Sequence, residues 1–362
     1  MFIFRNLVIL VVVIVPKKNL ESLDIGYDIV VIGAGAAGCF LAKNISSNYK
    51  VLVVDSRSLP RHKACSGIVV KQGKELLEPF RPPESIFLKP KEIHIVYSDW
   101  THKLEREIQK GFWNTDREKL DKWLYELALK KENVDIIDNA KLIDFNYAED
   151  KKHIVVVLES NGGVKNIISN YLVGCDGALS TVRQVLGVKP PKRYVAIQEL
   201  IKAKGVNKAY FIFDEEITDW YAWVIPKGEV IDVGAALDPF KAREKFAQFK
   251  EKVKQKFKIS GKGFFDSAML TRPQSVKDLV LGEKRVLLAG EAAGLISPSS
   301  GEGISFALRS AKFAANAFNK NFKDALSEYK KEAKPLVERL NNKFLKSTII
   351  SNKQKRINLM RE

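Results

Sequence analysis

Gly33, Gly35 and Gly38 stand at GxGxxG spacing within Gly33-Ala34-Gly35-Ala36-Ala37-Gly38, directly after the apolar run Tyr27–Ile32. In such a turn the first glycine permits a tight bend, the second lets a pyrophosphate approach the backbone, and the third allows close helix–strand packing. A helix opening at Ala36 and Ala37 would present free N–H groups and positive potential to that pyrophosphate. The next apolar run, Val51–Val54, ends at Asp55, followed by Ser56 and Arg57. A carboxylate about 20 residues past the glycines is placed to bind ribose hydroxyls. A merely glycine-rich turn would not account for Asp55, so the spacing predicts a dinucleotide site.

Two further segments bear on which dinucleotide. Leu172-Val173-Gly174-Cys175-Asp176-Gly177-Ala178-Leu179-Ser180-Thr181-Val182-Arg183 is one. Val286-Leu287-Leu288-Ala289-Gly290-Glu291-Ala292-Ala293-Gly294, with Pro298 and Gly301-Glu302-Gly303-Ile304 after it, is the other. Both resemble motifs of the flavoprotein group that includes aromatic hydroxylases and geranylgeranyl reductases. The resemblance implies FAD as cofactor, with Asp176, Gly177 and Ser180 along it and Arg183 anchoring the turn. It also implies that Glu291, where an Asp is usual, meets the ribityl chain. The helix start after Gly301, Glu302 and Gly303 would then face the isoalloxazine and stabilise negative charge on the reduced ring.

Lys63-Ala64-Cys65-Ser66-Gly67 and Trp220-Tyr221-Ala222-Trp223-Val224-Ile225-Pro226-Lys227 are similar to segments of the geranylgeranyl reductase family within that group, with Ile225 in place of the usual Phe. Arg117, with Asp121 and Leu124, matches the same family's Arg-x-x-x-Asp-x-x-Leu pattern. This closer resemblance implies reduction of carbon–carbon double bonds in a polyprenyl or similarly apolar substrate. Lys63, Cys65, Ser66, Gly67 and Arg117 would lie near the flavin, and Cys65 would relay a proton or position the substrate. Strand alternation puts Tyr221 and Trp223 on one face, suited to an apolar channel. Bland alternatives stand beside these: a free Cys is often a small buried hydrophobe, and aromatic strand residues often form core. The reductant is NAD(P)H or another electron carrier, since no second GxGxxG occurs. Rival functions are a flavin monooxygenase and a non-redox flavoprotein such as a cyclase.

The elements that must position these residues follow from periodicity. Strand, glycine turn, helix and strand succeed one another from Tyr27 to Val54; helical spacing runs from Asp116 to Lys130, and Val134–Ile137 is a strand. Alternating patterns at Lys91–Ile108 and Arg193–Leu237 predict antiparallel strands with one covered face. The expected fold is α/β: a Rossmann-type FAD-binding domain with an inserted antiparallel β-sheet substrate domain and C-terminal helices. Its boundaries are 1–26 for an apolar N-terminal segment; 27–85, 113–190 and 276–318 for the FAD domain; 86–112 and 191–275 for the substrate domain; and 319–362 for a basic helical region.

Composition narrows the partners. Three cysteines without a CxxC pair and four scattered histidines predict neither a disulfide framework nor a metal site. The net charge of +17 comes without any nucleic-acid-binding signature. It is dense after Ala311, from Lys312 to Arg361, among Phe, Leu and Ile, a pattern that suits either an anionic lipid surface or a solvated face. Met1–Val15 is almost wholly apolar yet shorter than the roughly 20 residues a transmembrane helix needs, so it is read as a short anchor or a misassigned start. Together these place the protein in the cytoplasm, peripheral at a membrane surface, acting on an apolar isoprenoid or lipid.

Overall fold

The computed structural model describes residues 18–361, so the apolar Met1–Val15 segment lies outside the described residues. Its helices are α1 (Ala36–Asn44), α2 (Lys71–Leu77), α3 (Arg117–Leu129), α4 (Thr181–Val185), α5 (Ala242–Phe257), α6 (Ile304–Lys320), α7 (Ala325–Glu332), α8 (Lys334–Ser351) and α9 (Lys353–Arg361).

The first sheet is built around parallel strands in the spatial order Val286–Leu288, Gly163–Gly174, Gly26–Ile32, Val51–Val54 and Val134–Ile137. Runs such as Val51-Leu52-Val53-Val54 are apolar at every position because both faces of a parallel sheet are covered. Ile29, Val31, Val51 and Val53 face one core with α1, α3 and α6. Val30, Ile32, Leu52 and Val54 face a second, closed by Phe306, by Leu336 and Leu340 of α8, and by the hairpin Lys141–Tyr147/Ile154–Ser160.

The second sheet has the order Phe264–Arg272, Lys192–Lys202, Val230–Leu237, Ala222–Lys227, Ala209–Phe213, Phe87–Asp99, Leu104–Thr115 and Ile68–Val69. The expected antiparallel pattern holds with one correction: Ala209–Phe213 pairs parallel to Phe87–Asp99. Parallel neighbours need a long crossover, and here the chain passes through the first sheet between the two strands. One face is packed by Phe246, Phe249 and Val253 of α5 against Ala222, Val224, Val233 and Ala235. The other face carries Tyr194, Phe213, Trp220, Tyr221, Trp223 and Ile225, and Ile350 of α8 and Met360 of α9 bury against it.

The basic residues of the C-terminal helices divide into paired and exposed ones. Arg356 is buried, its Nε bonded to Asp99 Oδ2 at 2.7 Å and its Nη2 to Glu215 at 2.6 Å. Arg339 and Lys343 pair with Glu302, while Lys323, Lys330, Lys334, Lys353 and Lys355 remain exposed. No helix among the described residues is long and apolar enough to cross a membrane.

Candidate active site

The glycine turn has the geometry its spacing requires. Gly33 has φ +101°, and a Cβ there would stand 2.5 Å from the Cys175 carbonyl oxygen. At Gly38 a Cβ would stand 1.9 Å from the Gly33 oxygen, so the helix packs on the turn by its bare backbone. Gly35 differs: its φ is −80°, and a Cβ would meet only Arg61 Nη2, at 3.7 Å. It is also the N-cap of α1 and offers no side chain to the free N–H groups of the first turn. The turn therefore keeps an open, electropositive concavity at the position where a pyrophosphate approaches.

Asp55 is buried at the end of its strand, its Oδ2 accepting from Ala34 N at 2.9 Å and its Oδ1 from Arg57 N at 3.0 Å. Arg61 closes on the same carboxylate at 3.2 Å and leans over Gly35. No local pattern marks Arg61, which reaches the turn through a connecting loop. Ser56 and Arg57 have exposed side chains at the rim.

The Asp176–Arg183 segment holds the turn from behind. Asp176 accepts from Ser180 Oγ at 2.6 Å and from Val182 N at 3.1 Å, so its carboxylate is engaged at the start of α4. Burial pushes its carboxyl up, against those bonds. Arg183 donates to the carbonyl oxygens of Lys189, Ala292 and Asp278 and ties this segment to Gly290–Gly294. Asp176 and Ser180 are thus tied to each other and to the start of α4, while Gly177 (φ +74°) leaves open space beside the turn.

Gly290 (φ +59°) brings the later glycine segment to within 3.4 Å of Ala37, measured from an added Cβ. Glu291 turns toward the second sheet, where Thr271 N and Oγ1 donate to it at 2.7 and 3.2 Å. Burial pushes its carboxyl up, opposed chiefly by Lys63. Ser305 of α6 and Arg339 and Lys343 of α8 hold the Glu302 side chain. Pro298 and Ile304 are buried, and the Gly301 backbone packs against the Tyr221 hydroxyl, which donates to Ser300 O at 2.9 Å.

Cys65 enters this centre from the edge of the second sheet. Gly67 (φ +62°) packs on the Thr115 carbonyl, and its N–H donates to Cys65 Sγ at 3.4 Å. Ser66 between them is partly exposed. Arg117 opens α3, pairs with Asp121 at 2.9 Å and interacts with Cys65; burial opposes its charge, but these partners hold the guanidinium charged. Burial, then the neighbouring Arg117, push the Lys63 ammonium down. His62, adjacent in sequence, instead faces Asp266 at 2.5 Å and Glu118 at 3.5 Å. Trp223 lies across Gly234, where a Cβ would be 2.3 Å from its ring, and its Nε1 donates to Asp232 Oδ1 at 3.0 Å.

An open helix N-terminus over Gly35, a buried carboxylate one strand away, and Lys63, Arg117 and Glu291 gathered beside them suit a flavin dinucleotide. No group of three or more potential ligands for a metal occurs among the described residues. The fold and this glycine turn define an FAD-binding oxidoreductase. The chain belongs to the FAD-binding-domain family, whose model matches residues 26–208. It is 29% identical to the protein CbrA of Escherichia coli O6:H1 over 336 residues, 90% of each chain. In structure it is similar to a geranylgeranyl bacteriochlorophyll reductase-like protein from Thermoplasma acidophilum, with TM-score 0.77 and 18% identity over 90% of this chain and 88% of that one. It is also similar to p-nitrophenol 4-monooxygenase from Pseudomonas putida, with TM-score 0.70 and 18% identity over 92% of each.

Proposed function

We propose that this FAD-dependent oxidoreductase reduces carbon–carbon double bonds of a polyprenyl or similarly apolar substrate. The observation that carries the reading is Cys65, set among Lys63, Arg117 and Lys227 and beside Tyr221 at the edge of an aromatic sheet face. The name of the Thermoplasma acidophilum neighbour points the same way. Gly33, Gly35, Ala36, Ala37 and Gly38 would hold the pyrophosphate, Asp55 the ribose, and Lys63, Arg117 and Glu291 would surround the rest of the cofactor. FAD would supply the two-electron chemistry when bound. The protein's own work is to seat the alkene against Tyr221 and Trp223, exclude water, and hold a proton at Cys65 Sγ.

Cys65→Ala is expected to retain flavin while alkene reduction falls on the order of 100-fold, the usual size of a lost proton-transfer group. Cys39→Ala and Cys175→Ala serve as controls, because both thiols are buried and far above their ordinary range through desolvation. The assay mixes reduced protein with polyprenyl substrate anaerobically, and NADH, NADPH and dithionite are compared as reductants. Equal turnover in Cys65→Ala and wild type would return Cys65 to a packing role.

A monooxygenase is the second reading, favoured by the likeness to p-nitrophenol 4-monooxygenase. Oxygen uptake stoichiometric with a hydroxylated product would establish it and remove the reductase reading.

We also propose peripheral attachment to an anionic membrane, supported by the exposed Lys323, Lys330, Lys334, Lys353 and Lys355. Each such cation near the surface adds roughly 1 kcal/mol. Full-length protein is expected to sediment with anionic but not neutral liposomes at low salt, and a chain starting at Ser22 more weakly. If neither version pellets with anionic liposomes at low salt, the charge is a solvated surface.

A further inference from the structure

We propose that Lys227 and Asp232 form a buried proton-supplying pair for the centre at Cys65, with Lys227 returning the proton to the Cys65 sulfur. This deepens the reductive reading above and rests on it.

The pairing of Ile225 with Asp232 makes Lys227 and Asp232 diagonal neighbours on one face of the second sheet, the face that carries Trp223. Both are buried, Lys227 at 8% exposure and Asp232 at 0%. Lys227 Nζ donates to Asn114 Oδ1 at 2.9 Å and to Thr115 O at 3.2 Å. An added Cβ on Gly67 would lie 3.2 Å from that nitrogen, which places it against the Cys65-Ser66-Gly67 segment. An ammonium has three N–H groups, so one remains beyond these two bonds. Asp232 Oδ1 takes the Trp223 indole N–H, while its Oδ2 is buried without a partner among the described residues. Leaving a buried acceptor open is costly, and a pair kept for stability alone would be expected to be fully bonded.

The charged groups acting on Lys227 are Asp232, Cys65 and Asp116; those acting on Asp232 are Lys227 and Asp266. Burial brings Lys227 down to about 8 and pushes Asp232 up to about 6. A lysine lowered by burial next to a carboxyl raised by burial is the pattern of groups that carry protons at reaction centres.

The step balances as follows. When bound, FAD would supply the hydride equivalent to one alkene carbon, and the other carbon would need a proton; Cys65 gives it, so S–H breaks, C–H forms and the S–H electron pair stays on sulfur. The Lys227 ammonium then gives a proton to that sulfur and becomes an amine. Water reprotonates the amine, and the Asp232 carboxylate on the same sheet face favours its return to the ammonium.

The test labels Cys65 with iodoacetamide in the flavin-loaded protein from pH 6 to 10, read by peptide mass spectrometry, alongside the pH profile of alkene reduction. In Lys227→Met, Cys65 labelling near pH 8 is expected to slow on the order of tenfold, because a neighbouring cation no longer favours the reacting anion. Lys227→Arg should restore labelling but not turnover, since a guanidinium keeps its charge and does not release the proton. Asp232→Asn, which keeps an acceptor for the Trp223 indole, should move the alkaline limb of turnover to lower pH by removing the anion that holds Lys227 charged. Labelling and pH profiles identical to wild type in flavin-retaining Lys227→Met would overturn the proposal. If Lys227→Met does not fold, an unchanged profile in Asp232→Asn overturns it instead. Lys227-dependent labelling in a protein that reduces no alkene would leave the coupling to Cys65 standing and remove only the reductive reading.

Discussion

Gly35→Leu is expected to purify folded but colourless. Gly35 has an ordinary extended backbone, and a Cβ there meets only the Arg61 side chain at 3.7 Å, so a side chain can begin there without strain. The isobutyl group then fills the space over the first turn of α1 where the pyrophosphate approaches. Losing those charge-assisted bonds costs on the order of 3 kcal/mol, so affinity for added FAD should fall at least about 100-fold. Gly38→Ala is the contrast. Its Cβ would lie 1.9 Å from a backbone oxygen, which has no way to move without shifting the turn, so stability and flavin are expected to fall together. Circular dichroism and visible flavin absorbance separate the two. Gly35→Leu that retains stoichiometric FAD would show that the dinucleotide does not bind at this turn.

Arg356→Ala is expected to destabilise the protein by about 3–5 kcal/mol, the cost of leaving a buried carboxylate without its partner. The melting temperature should fall by about 5–10 °C. Arg356 bonds Asp99 at 2.7 Å, Glu215 at 2.6 Å and the Ile350 carbonyl at 2.8 Å, fastening α9 and the end of α8 to the second sheet. The pH dependence has a definite sign. Burial pushes the Asp99 carboxyl up, but the Arg356 and His102 bonds outweigh it and hold it below its ordinary value. Its stabilising contribution is thus complete above about pH 4 and is lost as pH falls through the lowered folded value. Wild type should lose stability in that acid range more steeply than Arg356→Ala. Thermal unfolding followed between pH 3 and 7 reads both effects, and a variant that melts within about a degree of wild type would refute the role.

The glycine turn, the parallel strands and α3 were legible in the chain because their causes are local. Gly33 needs its left-handed φ for a bend between adjacent residues, and Val51–Val54 is apolar throughout because a doubly covered strand has no wet side. Cys65 and the Tyr221–Lys227 strand were legible as segments, although their meeting was not. The lone Asp232 inside the apolar run Val230–Leu237 was a signal that went unused: a carboxylate in a fully buried strand calls for a partner or a task.

Side-chain roles followed another rule. Asp176 and Glu302 sit in motifs that imply a cofactor contact, and nothing in the spacing of those motifs shows that Ser180 and α8 also hold their carboxylates. Arg61 reaches Asp55, and Glu291 reaches Thr271, through loops and strands whose spacing carries no record of the meeting. Lys355 and Arg356 show the limit most clearly. They are neighbours of like charge in one basic stretch, but Lys355 is exposed while Arg356 is buried against Asp99, 257 residues away. Sequence holds the local torsions and the period of burial; which charge is solvated and which is paired depends on a helix docking against a distant strand, because desolvation is decided by what arrives from elsewhere in the chain.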